Sequence, residues 1–182
     1  MQSSDRFLER RPATCGSEDR PLFKLFVYGT LKRGYGNHER FCRGYCGLRE
    51  AQIRGRLYEG PGFPFLQVPD EDILARGTVA PSEDVATQAR VARQVALWRS
   101  FPGSAHPRGR WGPVYGELLS FSDPERRLPA IDRLEGYSPG EPCLYHRVLV
   151  RVAVGADTVI SWTYVAAGKV SGRRIPSGRW PQ

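Results

Sequence analysis

Lysine is nearly missing from this 182-residue chain: Lys24, Lys32 and Lys169 stand alone, and arginine carries most of a net charge of +8. A nucleic-acid surface needs its cations gathered into a stripe, usually interleaved with aromatic side chains. Here the arginines are scattered, and the tightest knots, Arg10-Arg11 and Arg173-Arg174, lie near the two ends. The positive balance reads as a solvated surface, so no nucleic-acid partner is expected. No apolar run approaches a membrane span, and residues 1–20 contain no apolar leader segment. A cytoplasmic protein without a membrane partner is the expectation. Cysteine is also sparse. Cys15, Cys42, Cys46 and Cys143 are too few for a disulfide scaffold and fit a reduced compartment. His38, Cys42 and Cys46 recur every four residues, but Gly44 should end any helix between them and no fourth ligand stands nearby. No metal site is expected; such cysteines read as small core residues.

What remains is ordinary globular material, 40% hydrophobic and 25% charged, enough for one domain with a real core. Residues 1–20 read as a disordered, charged lead-in and 168–182 as a flexible Pro/Gly-rich tail, leaving a domain over 21–167. Strands are expected at Phe23–Tyr28, Ala51–Tyr58, Phe65–Val68 and Val114–Phe121. Tyr145–Val154 and Thr158–Val165 pair through the Gly155-Ala156-Asp157 turn. In Ala51–Tyr58 the inward face is Ala51, Ile53, Gly55 and Leu57; in Tyr145–Val154 the even-numbered valines face Arg147 and Arg151. Asn37 reads as the N-cap of a short helix through Phe41. Ser82 reads as the N-cap of a long helix to Ser100, stopped by Phe101-Pro102-Gly103, with Glu83 and Asp84 in its first turn. Asp123-Pro124 starts a third helix, interrupted at Pro129, resuming over Ile131–Glu135 and ending on Gly136. Strands outnumber helices and their connections are short. The fold class is α+β: a small, mixed but mostly antiparallel β-barrel with a few helices.

Two segments carry chemistry. In the first, the apolar run Leu25-Phe26-Val27 stops at Tyr28-Gly29. Amides of Gly29, Thr30 and Leu31 then leave the sheet, where they can cradle an anion or a developing oxyanion. A plain strand-end turn has the same look. In the second, Glu135 falls at a helix C-terminus between Leu134 and Tyr137. The helix dipole disfavours its charge there, and apolar neighbours do the same, so its pKa should rise toward the range useful for proton transfer. Surface helix ends carry glutamates too.

Taken together, Val27-Tyr28-Gly29-Thr30-Leu31 with Gly34 and Asn37-His38, Asp132-x-Leu134-Glu135-Gly136, and Leu144-Tyr145-His146-Arg147-Val148 resemble the γ-glutamylcyclotransferase-like family, most of all its γ-glutamylamine cyclotransferase branch. The likeness runs from about Phe23 to Ala167. It implies a small barrel with a cavity at one end and a cyclotransferase that uses no cofactor. Its substrate would be a small γ-glutamyl amine or related amide, cyclised to 5-oxoproline with release of the amine. By the same resemblance Glu135 is the catalytic acid/base, and Tyr28, Gly29, Thr30 and Leu31 bind the γ-glutamyl group. Tyr145 matches a family tyrosine near the pocket, and Asn37 a polar residue after the turn. The 77–110 region is longer than compact family members need and reads as a helical insertion, either a brace on the barrel wall or a lid. A γ-glutamyl-capped metabolite with a bulky or anionic leaving group, and a non-enzymatic binding module on the same fold, are the competing readings.

Overall fold

The computed structural model describes Cys15, residues 21–98 and residues 111–181. Five strands close into a barrel in the order β2 (Gly47–Glu59), β5 (Gly112–Phe121), β1 (Phe23–Val27), β7 (Asp157–Ala166), β6 (Tyr145–Val154). The ring is completed where Gln52 of β2 meets Ala153 of β6. Every neighbouring pair is antiparallel except β1 with β7. Short strands extend the sheet: β3 (Pro64–Gln67) and β8 (Arg174–Ile175) on β2, and β4 (Ala75–Arg76) on β6. The expected α+β barrel is therefore the fold.

Alternation along the strands builds two cores. One face carries Phe26, Ile53, Leu118, Val148, Val150 and Val152 and fills the barrel. The other carries Leu25, Val27, Leu119, Leu149 and Trp162 and meets the helices through Leu128, Ile131 and Val91. Trp162 is fully buried there, and an aromatic of that size removes roughly 150–250 Å² from water.

Several local expectations are corrected. Helix α1 (Gly36–Phe41) is capped by Tyr35, which places Asn37 inside the first turn, where its amide serves another purpose. Helix α2 (Pro81–Trp98) starts one residue before Ser82; its C-terminal stop at 101–103 lies outside the described residues. Its buried face is set by Asp84, Gln88 and Val91, whereas Ala96 is exposed. Helix α3 (Pro124–Leu134) runs unbroken through Pro129. Burial of Leu128 and Ile131 on either side of the proline offsets the one backbone bond it removes. Arg147 was placed on the polar side of its strand but is fully buried. The 168–182 tail is not loose in its described part. Ile175 is buried against Leu57, and the Tyr115 amide donates to the Gly178 carbonyl at 2.8 Å. The 1–20 lead-in lies outside the described residues except for Cys15, which forms a disulfide with Cys46. That pairing overturns the expectation of four reduced thiols, leaving Cys42 and Cys143 free.

Candidate active site

At the end of β1 the chain passes from the barrel interior, where Tyr28 is buried, to the helical side, where Leu31 is buried. A bond from the Lys32 amide to the Gly29 carbonyl, 3.1 Å, closes the turn. The β1 ladders stop at Val27, so the amides of Gly29, Thr30 and Leu31 lie beyond the paired strand. Helix α1 fastens this turn from behind. Asn37 Nδ2 donates to Thr30 Oγ1 at 3.0 Å, and buried His38 donates through Nδ1 to the Leu31 carbonyl at 2.8 Å. The disulfide takes Cys46 out of the His38, Cys42, Cys46 series as a metal ligand. Glycine at position 29 serves close packing and not an unusual φ: a Cβ there would sit 3.1 Å from two ring carbons of Pro64, which would have to give by a few tenths of an ångström.

Glu135 is the C-cap of α3. Gly136 adopts φ +60°, and two bonds close the helix end: Tyr137 N–H to the Asp132 carbonyl at 2.8 Å, and Gly136 N–H to the Arg133 carbonyl at 3.3 Å. This Schellman closure fixes the direction in which the Glu135 side chain leaves the helix. The carboxyl is largely withdrawn from water and has no hydrogen-bond or ion-pair partner among the described residues. Desolvation, with a smaller contribution from the Asp132 carboxylate one turn earlier, pushes its pKa up to about 7. A carboxyl poised there can both take and return a proton near neutrality.

Tyr28, Gly29, Thr30, Leu31 and Glu135 line one cleft, so the residues singled out from sequence meet in space. The cleft has a cavity volume of only about 30 Å³. That is room for roughly two waters. Its far wall is aromatic, formed by Phe63 and Tyr145, and Phe65 backs both: it stacks on Tyr145 with ring centres 5.5 Å apart and meets Phe63 edge-on at 5.4 Å. The Tyr145 hydroxyl donates to the Pro64 carbonyl at 2.8 Å, and the Tyr28 hydroxyl to the Tyr164 carbonyl at 2.9 Å. Burial raises both phenols above their ordinary range, so both stay protonated. Tyr145 thus lines the cleft as expected, whereas Asn37 acts through Thr30. Sequence reading missed Tyr164, Phe63 and Pro64, which line the same cleft. The one local signal there, the Gly60-Pro61-Gly62-Phe63-Pro64 run, marks a loop and says nothing of what the loop faces.

The sequence profile described as Gamma-glutamyl cyclotransferase, AIG2-like matches residues 25–93 and 74–182, nearly the whole described chain. The chain belongs to this family. One solved structure agrees on the fold. YkqA from Bacillus subtilis is 21% identical with a TM-score of 0.51, over 87% of this chain and 39% of its own. This chain therefore spans well under half of that protein. An uncharacterised protein, PH0828, from Pyrococcus horikoshii is 18% identical over 87% of this chain and 89% of its own, with a TM-score of 0.47. An AIG2-like protein from Mus musculus is 21% identical over 82% and 80%, with a TM-score of 0.43. A comparison with curated proteins returned no sequence match. Among the described residues no helix of this AIG2-like chain is long and apolar enough to cross a membrane. Membership in the family points to cyclotransferase-type chemistry and to a γ-glutamylcyclotransferase-like enzyme.

Proposed function

We propose that the protein cyclises a small γ-glutamyl amine, or a related γ-glutamyl amide, to 5-oxoproline and the free amine. One observation carries this reading: an unpaired, desolvated carboxyl, Glu135, shares a cleft with a turn whose amides lie beyond the paired strand. The nucleophile is the substrate's own α-amino group, so no protein nucleophile is required. Holding the glutamyl chain curled supplies effective molarities of about 10⁵ M or more. Glu135, ionised, takes a proton from the α-amino nitrogen as that nitrogen bonds to the γ-carbon. The carbonyl π-electrons move onto the γ-oxygen, where amides of the Gly29–Leu31 turn receive the charge. As they return, the bond to the leaving nitrogen breaks, and Glu135 delivers its proton there. No water is consumed. Substrate entry displaces the Phe63–Pro64 wall, because the cleft as it stands is too narrow for a glutamyl chain.

Incubation with a panel of γ-glutamyl amines, γ-glutamyl dipeptides and glutathione, read by 5-oxoproline release, tests the proposal. Turnover is expected with at least one amide and should fall about 100-fold or more in Glu135→Gln and Glu135→Ala. The rate should climb with pH through about 7, because Glu135 must be ionised to accept the proton. Silence across the panel, or undiminished turnover in both variants, refutes the assignment.

A further inference from the structure

Behind Glu135 lies a buried charge relay that begins in the helical insertion. Arg147 of β6 is fully buried and divides its guanidinium between two carboxylates. Nη1 donates to both oxygens of Asp132 in the last turn of α3. Nη2 donates to Asp84 Oδ2 in the first turn of α2 and, at 2.8 Å, to the Thr78 carbonyl. Asp132 also accepts from the Tyr164 hydroxyl at 2.6 Å, and Asp84 from the Thr78 amide at 3.1 Å. Tyr137 closes the assembly, its ring 5.1 Å from the guanidinium and its hydroxyl donating to the Gly77 carbonyl at 2.7 Å.

We propose that Asp132, gripped by Arg147 and through it by Asp84, is the positioning residue that holds Glu135 over the turn and governs its protonation. On this view the insertion helix α2 is a brace for the site and not a lid. The inference rests on the cyclotransferase reading only for its kinetic consequence. Two facts argue for it. Asp132 is the residue whose carbonyl closes the Schellman bond beneath Glu135, so fixing its side chain fixes the helix end. The electrostatic surroundings are equally restrictive. The groups acting on Glu135 from neighbouring elements are Tyr28 after β1, Cys42 after α1, Tyr145 on β6 and Tyr164 on β7. Burial raises every one of them, Cys42 to about 12, so all are uncharged near neutrality. Among the described residues, Asp132 is left as the charge that acts on Glu135. One guanidinium shared by two carboxylates does not cancel it.

The test is a carboxyl-carbon NMR titration of Glu135 in the full chain, assigned with Glu135→Gln and needing no substrate. Asp132→Asn should lower the Glu135 midpoint by about one pH unit. Asp84→Asn should lower it less, because Arg147 then serves Asp132 alone. Tyr164→Phe removes one oxygen and leaves Asp132 less neutralised, so it should move the midpoint upward. It also serves as the decisive variant if the others fail to fold. Where 5-oxoproline release is measurable, the ascending limb of its pH profile should move with the midpoint in each variant. A Glu135 midpoint unchanged in natively folded variants overturns the inference, whether or not the wild type turns over any amide. Movement of the midpoint with no turnover in the wild type supports the relay and sinks only the catalytic assignment.

Discussion

Asp84 and Glu135 are both carboxylates drawn out of water at a helix end, and they have opposite fates. Asp84 is 1% exposed, sits in the first turn of α2 and meets Arg147 and the Thr78 amide. Burial raises its pKa, while Arg147 and Thr78 pull the other way. Glu135 sits at the end of α3, where the helix dipole opposes its charge, and has no donor at all among the described residues. Burial therefore does not by itself mark a reactive acid. What separates the two is whether the fold supplies donors: a saturated carboxylate holds structure together, and an unsaturated one keeps a proton to trade.

Removing the shared cation breaks this contrast most severely. Arg147→Met leaves buried Asp84 and partly buried Asp132 without their counter-charge, and such losses cost about 3–5 kcal/mol. Urea unfolding should show a drop of this size; a loss below about 1 kcal/mol would mean that water reaches both carboxylates.

A smaller effect of opposite sign is expected at the reactive acid. The pKa of Glu135 is about 7 in the folded chain against 4.5 for a free glutamate. Between those values the folded chain holds a proton that the unfolded chain releases, so this site's contribution to stability declines as pH rises from about 4.5 to 7 and the full penalty persists above. Glu135→Gln removes the penalty. It should be more stable than the parent by about 3 kcal/mol at pH 8, but by less than about 1 kcal/mol at pH 5. A pH-independent difference would show that the carboxyl is solvated after all.

The smallest expected effect tests the turn. In Gly29→Ala the new methyl lies 3.1 Å from the Pro64 ring, so the turn or the wall must shift by a few tenths of an ångström. Stability should change by less than about 1 kcal/mol, while kcat/KM for the best amide drops roughly tenfold through misplacement. Unaltered kinetics would mean that the wall yields freely.

The site was readable in the sequence to an unusual degree, because its parts are local signals: a strand that stops at Tyr28-Gly29, and a helix that ends at Glu135-Gly136. Less of its surroundings could be read. Asp84 looked like a dipole-complementing residue in the first turn of a surface helix, and Arg147 like the polar member of an alternating strand. Each is buried because the other is, and a mutual partnership between residues 63 positions apart leaves no trace in periodicity. The Cys15–Cys46 link and the Ile175 strand were missed for the same reason.

Sequence alone determined the barrel's strands and the ends of β1 and α3, since hydrophobic alternation, proline, glycine and caps act over a few residues. Only the tertiary structure decided that this acid and this turn share one cleft, that an aromatic wall narrows it, and that α2 anchors Arg147. Those outcomes depend on which distant groups satisfy one another once water is excluded, and that is settled by packing.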